Sequence, residues 1–251
     1  KEFMSAEAIQ LDKSDIVYIK RRWEYTQDNK IINQIICLNL ETLEENIIKE
    51  EVTNHPVNKL KRINDNKFIS YTPNVTESGY QYVFTIFDLA TQEQICIDSF
   101  SYNAEKTNGS IASAFATDYQ NIYIYVNHYE DIKTLPEQKI YIFDQNGVYQ
   151  TSYSVDINSF LDIQKNFDGN VKNDSIIDMM KYNDCFLLKT QHCRYAMFKE
   201  SNEKLLPIEV PSVLLEPFGY RLVIGYSNEI KNIFFYNLTD GILEYNTKTG
   251  V

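Results

Sequence analysis

The chain holds three histidines, His55, His128 and His192, and three imidazoles are the usual core of a zinc site. None is paired with another at i+2 or i+4. The spacing therefore argues against a metal centre, and no metal or other cofactor is expected. His128-Tyr129-Glu130-Asp131 sets an imidazole beside two carboxylates, the residue types of general acid–base chemistry. Neighbours on one loop tend to point into solvent rather than converge on a recess. There is no G-x-S-x-G elbow, P-loop, G-x-G-x-x-G or C-x-x-C, so no catalytic residue is assigned. Trp23, the one tryptophan, stands where an apolar run gives way to a polar loop, with Arg21, Arg22 and Tyr25 close by. Exposed aromatics beside arginine anchor a partner or a sugar ring, whereas a packed position is the competing use of a lone tryptophan.

The elements that would carry these residues are strands. From Asn121 to Asp156 an apolar run (Ile122 to Val126) leads through a polar loop into a second run (Ile140 to Phe143). A turn at Asp144-Gln145-Asn146-Gly147 follows, then an alternating strand from Val148 to Val155. β-branched and aromatic residues are dense here, and the Asn-Gly pair is expected to supply the positive φ angles of a tight hairpin. The pattern recurs. ICLNLET, TIFDLAT, YIFDQNG, AMFKESN and LEYNTKT superimpose with Asn39, Asp88, Asp144, Lys199 and Asn246 equivalent, at intervals of 49, 56, 55 and 47 residues. A strand-only period near fifty predicts a β-propeller of four-stranded antiparallel blades, five visible and six possible. The expected blades cover about 1–53, 54–104, 105–156, 157–213 and 214–251 of a single domain spanning 1–251. Asp or Asn after each third strand would bond the backbone of the next turn. The runs Ile122–Val126 and Ile233–Tyr236 are apolar on both faces, as only a sheet covered on both sides requires. A two-sheet sandwich is the structural alternative.

Two segments depart from the period. Asp156 to Asp174 is expected to be an insertion with a short helix capped by Asp156-Ile157-Asn158. The fifth unit reaches Val251 without a fourth strand. Either the chain continues, or residues near Phe3 supply that strand and remove an edge.

Charge narrows the partners. A formal net charge of −11 repels phosphate backbones and anionic bilayers, so neither nucleic acid nor membrane insertion is expected. Lys20-Arg21-Arg22 and Lys59-Leu60-Lys61-Arg62 read as solvated strand ends. The four cysteines (Cys37, Cys96, Cys185, Cys193) read as buried free thiols, with Cys185 and Cys193 able to pair only if the hairpin register sets them opposite. Lys1-Glu2-Phe3-Met4 does not read as a charged-then-apolar export leader.

The motif Ile140-Tyr141-Ile142-Phe143-Asp144-Gln145-Asn146-Gly147, preceded by Asp118-Tyr119-Gln120-Asn121-Ile122-Tyr123, resembles the repeat of six-bladed TolB-like and NHL-like propellers. It is most similar to TolB-like proteins of the bacterial cell envelope. The resemblance implies an extracytoplasmic scaffold, here expected to be monomeric, that binds a protein, peptide or glycan. Propeller topology puts the second-to-third-strand loops and the blade-to-blade connections on one end. That end gathers the candidate binding residues Trp23, Tyr25, His128, Tyr129, His192 and Arg194, on long loops at Glu24–Asn33, Thr72–Gln81 and Asn127–Gln138. The alternative is a hydrolase or lyase using His128 or His192 with a loop carboxylate.

Overall fold

The structure, a computed structural model, describes residues 3–24, 30–53, 59–103, 108–130, 136–156, 176–190, 195–201, 204–208, 222–227, 232–237 and 241–246. All regular structure among them is β, in nineteen strands. The first unit is β1 (Phe3–Gln10), β2 (Asp15–Glu24), β3 (Lys30–Asn39) and β4 (Glu45–Thr53). The second is β5 (Lys59–Arg62), β6 (Lys67–Thr76), β7 (Gly79–Asp88) and β8 (Glu93–Asn103). The third is β9 (Asn108–Thr117), β10 (Asn121–Tyr129), β11 (Glu137–Asp144) and β12 (Tyr149–Ser154). The fourth is β13 (Ile176–Tyr182), β14 (Cys185–Thr190), β15 (Tyr195–Ser201) and β16 (Lys204–Ile208). A fifth, three-stranded unit follows as β17 (Leu222–Ser227), β18 (Asn232–Asn237) and β19 (Gly241–Asn246). Within each unit the order is sequential and antiparallel, as expected.

The units stack because their middle strands are apolar on both sides. In β10, Ile122, Ile124 and Val126 pack with Ile69, Phe84 and Ile86 of the second unit. Tyr123 and Tyr125, on the other side, pack with Phe186, Leu188 and Met197 of the fourth. A third cluster joins Val17, Ile19 and Ile35 to Leu60, Phe68 and Phe87. Each fully buried Ile or Phe contributes about 2 kcal/mol relative to exposure. The first strands meet around an axis, β1 against β5, β5 against β9 and β9 against β13. Face-to-face antiparallel sheets with their first strands innermost make a β-propeller, and the sandwich is set aside.

The turn chemistry follows the repeat. Asn39 Oδ1 accepts from the N–H groups of Glu41 and Thr42, Asp88 Oδ1 from Ala90 and Thr91, and Asp144 Oδ1 from Asn146 and Val148, all at 2.8–3.2 Å. The first-to-second-strand turns repeat the device at Asp12, Asn64 and Asp118, a periodicity the strand alignment does not expose.

Several expectations change. The Asn-Gly hairpin takes its positive φ at Gly147 alone (79°), with Asn146 in an ordinary conformation. The segment Thr72–Gln81 is no long loop. β6 and β7 pair continuously to Thr76↔Gly79, leaving Glu77-Ser78 as the turn. Its alternating Tyr and Val side chains outweigh the turn-forming residues TPN. The residues near Phe3 lie in the first unit, Phe3 pairing with Arg22, rather than completing the fifth. Cys96 is exposed and Cys37 half-buried, so of the described cysteines only Cys185 is a buried thiol. Cys193 and the insertion 157–174 lie outside the described residues.

The second and third units join into one eight-stranded sheet because β8 and β9 also pair, Tyr102 with Gly109 and Asn103 with Asn108. Gly109 has φ 125°, and a Cβ there would lie 2.5 Å from Ser101 O and 2.9 Å from Tyr102 Cα. At Gly147 a Cβ would meet only side chains, the nearest atom being 3.3 Å away on Ile86. Gly109→Ala is therefore expected to cost more than about 2 kcal/mol, and Gly147→Ala about 1–2 kcal/mol. Urea unfolding of the two variants checks the order.

Candidate functional site

Of the six expected binding residues, His128 and Tyr129 are fully described. Trp23 is at the end of β2, opposite Ile31, and its side chain lies outside the description, as do Tyr25, His192 and Arg194 altogether. His128, next to last in β10, lies directly between Ser110 and Glu137. Its Nδ1 is 2.7 Å from Ser110 Oγ and its Nε2 is 2.7 Å from Tyr141 Oη. A neutral ring satisfies both, one nitrogen donating to a hydroxyl oxygen and the other accepting an O–H. Burial first, then Lys139, holds the His128 pKa below its ordinary value, with Glu137 offsetting part of this. Glu137 bonds Lys139 at 2.9 Å. Through these two hydroxyls the His128 ring links β9, β10 and β11.

Tyr129 belongs to a larger group. Val75, Tyr80, Tyr102, Gly109 and Tyr129 face one another in register across β6, β7, β8, β9 and β10. Gly109 contributes no side chain, and the rings of Tyr102 and Tyr129 meet edge to face at 5.8 Å. Tyr80 stacks on Tyr82 at 6.4 Å, and Tyr82 on Tyr71, whose hydroxyl donates to Ala112 O at 3.0 Å. Burial, then Tyr80, Tyr129 and Tyr102, pushes the Tyr82 phenol up to about 12. Tyr82 is 8% exposed, whereas Tyr80 is 45% and Val75 53% exposed. The cluster thus has an anchored base and an open rim. The sequence missed it because Tyr80 and Val75 were assigned to a loop.

A second site lies on the propeller axis, a cavity of about 710 Å³ bounded by the first strands of four units. Lys61 Nζ, from β5, donates to Asp178 Oδ1 at 3.1 Å and to Met179 O at 2.8 Å on β13. Lys59 Nζ donates to Ile177 O at 2.5 Å and lies 3.6 Å from Asp178. Leu60, Lys61 and Arg62 therefore line the channel rather than forming a solvated strand end. The two lysines hold Asp178 below the usual carboxylate range against burial, the largest influence on it, which raises it. Glu7 of β1 faces the same lysines. Burial dominates there, and despite the Leu60 backbone bond and Lys61 and Lys59 its pKa rises to about 7. Asp178 raises it further, and Arg21 of β2 lies within electrostatic reach. Glu7 and Asp178 went unnoticed in the sequence, and Lys59 and Lys61 were read there as part of a solvated strand end. The available signal was Lys59 and Lys61 two apart, on one side of a strand that propeller topology places innermost. Among the described residues no three His, Cys, Asp or Glu side chains gather to hold a metal. No described helix is long and apolar enough to cross a membrane.

Glu7 gives a pH signature. Its folded pKa, about 7, exceeds the ordinary 4.5, so the fold favours the neutral acid. That stabilisation is complete below about pH 4.5 and is lost as pH rises to about 7. Glu7→Gln is expected to leave Tm close to that of the parent at about pH 4 and to raise it at about pH 8. Calorimetry of both proteins across this range checks it, and a constant difference at all pH values would contradict it.

No family model matches the chain, and no curated protein matches it in sequence. Solved structures do match in fold. The chain is similar to the β-propeller domain of the Trilobed protease from Pyrococcus furiosus, described as having an open velcro topology, with TM-score 0.58 and 13% identity over 99% of this chain and 69% of that one. It is similar to tricorn protease with TM-score 0.51 and 10% identity, covering 100% of this chain and 30% of that one. It is also similar to a structure of KlAtg21 in complex with the coiled-coil of AgAtg16, with TM-score 0.53 and 10% identity over 97% and 81% of the two chains. At such identities the likeness is one of fold, and the fold is the β-propeller.

Proposed function

We propose that this chain is a non-catalytic binding propeller that recognises a protein, peptide or glycan through the end of its second and third blades. The tyrosine row carries the reading. Tyr80, Tyr102 and Tyr129 sit in register on three strands, rooted by buried Tyr82 and Tyr71 and rimmed by exposed Val75 and Tyr80. Rigid aromatic side chains on strands give large contact area at low entropic cost, which is how binding hot spots are built. The occupied state of His128 supports binding over catalysis, since a general base needs a free lone pair aimed at substrate. Of the similar folds, one was solved with a coiled-coil partner and two belong to proteases, so fold alone favours neither reading. Trp23, Tyr25, His192 and Arg194 belong to the same proposal, as does action as a monomer. Kinship to TolB-like proteins and an extracytoplasmic location rest on the repeat motif alone.

The test is a peptide and glycan array screen run beside a panel of generic hydrolase substrates. The expected result is a captured ligand whose affinity falls about tenfold or more in Tyr80→Ala and Tyr129→Ala. Tm should fall by no more than about a few degrees in Tyr80→Ala, because that ring is nearly half exposed. Turnover on the panel that disappears in His128→Ala would replace this reading with an enzymatic one.

A further inference from the structure

Glu7, Lys61 and Asp178 line the axial cavity together with the apolar side chains of Ile9, Met179, Met180 and Leu187. Among the cationic side chains around it, Lys61 is bonded to Asp178 and Met179 O, and Arg62 to Asp65. Lys181 is buried between Asn183 O, Glu200 and the face of Phe186. Lys189 differs. It lies directly across the ladder from Asp178 and lines the cavity, and its ammonium makes no hydrogen bond or ion pair among the described residues.

The anions around the cavity are committed as well. Asp178 is shared by two lysines, and Asp118 caps its own turn and accepts the Tyr123 hydroxyl. Glu7 meets the Leu60 backbone, Lys59 and Lys61 from β5, Asp178 from β13 and Arg21 from β2, and burial keeps it largely protonated below about pH 7. A protonated carboxyl is an O–H donor. One unpaired ammonium among the described residues and one acid donor, in a recess lined by both polar and apolar side chains, match a single carboxylate in charge and in hydrogen-bonding capacity. A dianion such as phosphate would leave an uncompensated charge in the recess.

We propose that the axial cavity binds a monocarboxylate with an apolar tail, its carboxylate on Lys189 and a hydrogen bond from the Glu7 acid. Such a group occurs at the C-terminus of a polypeptide and in a free carboxylic acid. The site is separate from the tyrosine row and does not depend on it.

The experiment is titration calorimetry on the full chain with four probes. They are N-acetyl-alanyl-alanyl-leucine as the free acid, the same peptide amidated, hexanoate, and inorganic phosphate. The peptide acid or hexanoate is expected to bind. The amide and phosphate should bind at least about tenfold more weakly. Lys189→Met should lose about tenfold with Tm preserved, and Lys189→Gln guards against a packing artefact. Glu7→Gln keeps a donor and should retain binding while flattening its decline between about pH 6 and 8. Preference for the peptide assigns the site to chain termini, and equal binding of hexanoate assigns it to free acids. Equal binding of the amide, dominance of phosphate, indifference to both Lys189 variants, or no binding by any probe would overturn the proposal. Loss of the array ligand in Tyr80→Ala leaves it untouched, so the two readings fail separately.

Discussion

β10 buries Ile122, Ile124 and Val126 on one side and Tyr123 and Tyr125 on the other, so it needs a sheet against each face. A single four-stranded sheet cannot meet that need, nor can two sheets, because each would keep one apolar face in water. Radial repetition meets it, each unit covering its neighbours. The consequence is directional. Sheet faces are committed to stacking, and what remains for recognition is the ends of the strands and the innermost edges. Both candidate sites lie where this geometry leaves them, the tyrosine row at strand ends and the carboxyl–lysine group on the axis.

The innermost strands carry unpaired backbone groups, a liability in any open sheet. Here the opposing strands meet it with side chains. Lys59 and Lys61, two residues apart on β5, bond the carbonyls of Ile177 and Met179, also two apart, on β13. Thr117 of β9 bonds Arg62 O, and Glu7 of β1 meets the Leu60 backbone. The second and fourth units are thereby linked across the axis, although the third lies between them in sequence. Lysine suits the task, since its flexible stem lets one ammonium serve a carbonyl and a carboxylate together. Each ammonium is desolvated in doing so, and burial lowers the Lys59 pKa accordingly. Axial linkage and the burial that raises Glu7 thus have one origin.

Strand positions were legible because they follow from periodicity, a local property. The Asn39, Asp88 and Asp144 turns were legible for the same reason, since an Asx turn closes within four residues. Misreadings arose where local signals compete or pairing is long-range. In Thr72–Gln81, Pro73 and Asn74 suggested a loop, yet the segment pairs through to Gly79, where Tyr82 stacks on Tyr71 of β6 and Tyr80 faces Tyr102 of β8. Ser110 and Tyr141, the hydrogen-bond partners of His128, come from two other strands. No window of sequence around it holds that information. Asp178 and Lys61 are more than a hundred residues apart in the chain, and only closure about the axis makes them neighbours.

His128 shows how this fold satisfies a polar side chain near a strand end. Polar groups near strand ends must be satisfied once neighbouring blades exclude water, and the cheapest partners are hydroxyls on adjacent strands. A histidine between Ser110 and Tyr141 satisfies both of its nitrogens without a charge, which an aspartate or lysine there could not do. Its lowered pKa follows from that enclosure and from Lys139. Glu7 is the contrasting case. It is also shifted by burial, but it borders a cavity with an uncommitted lysine, so its proton remains available to something that enters. What separates a structural titratable group from a functional one is therefore not the size of its shift. The distinction lies in whether all of its hydrogen-bonding capacity is already used within the protein.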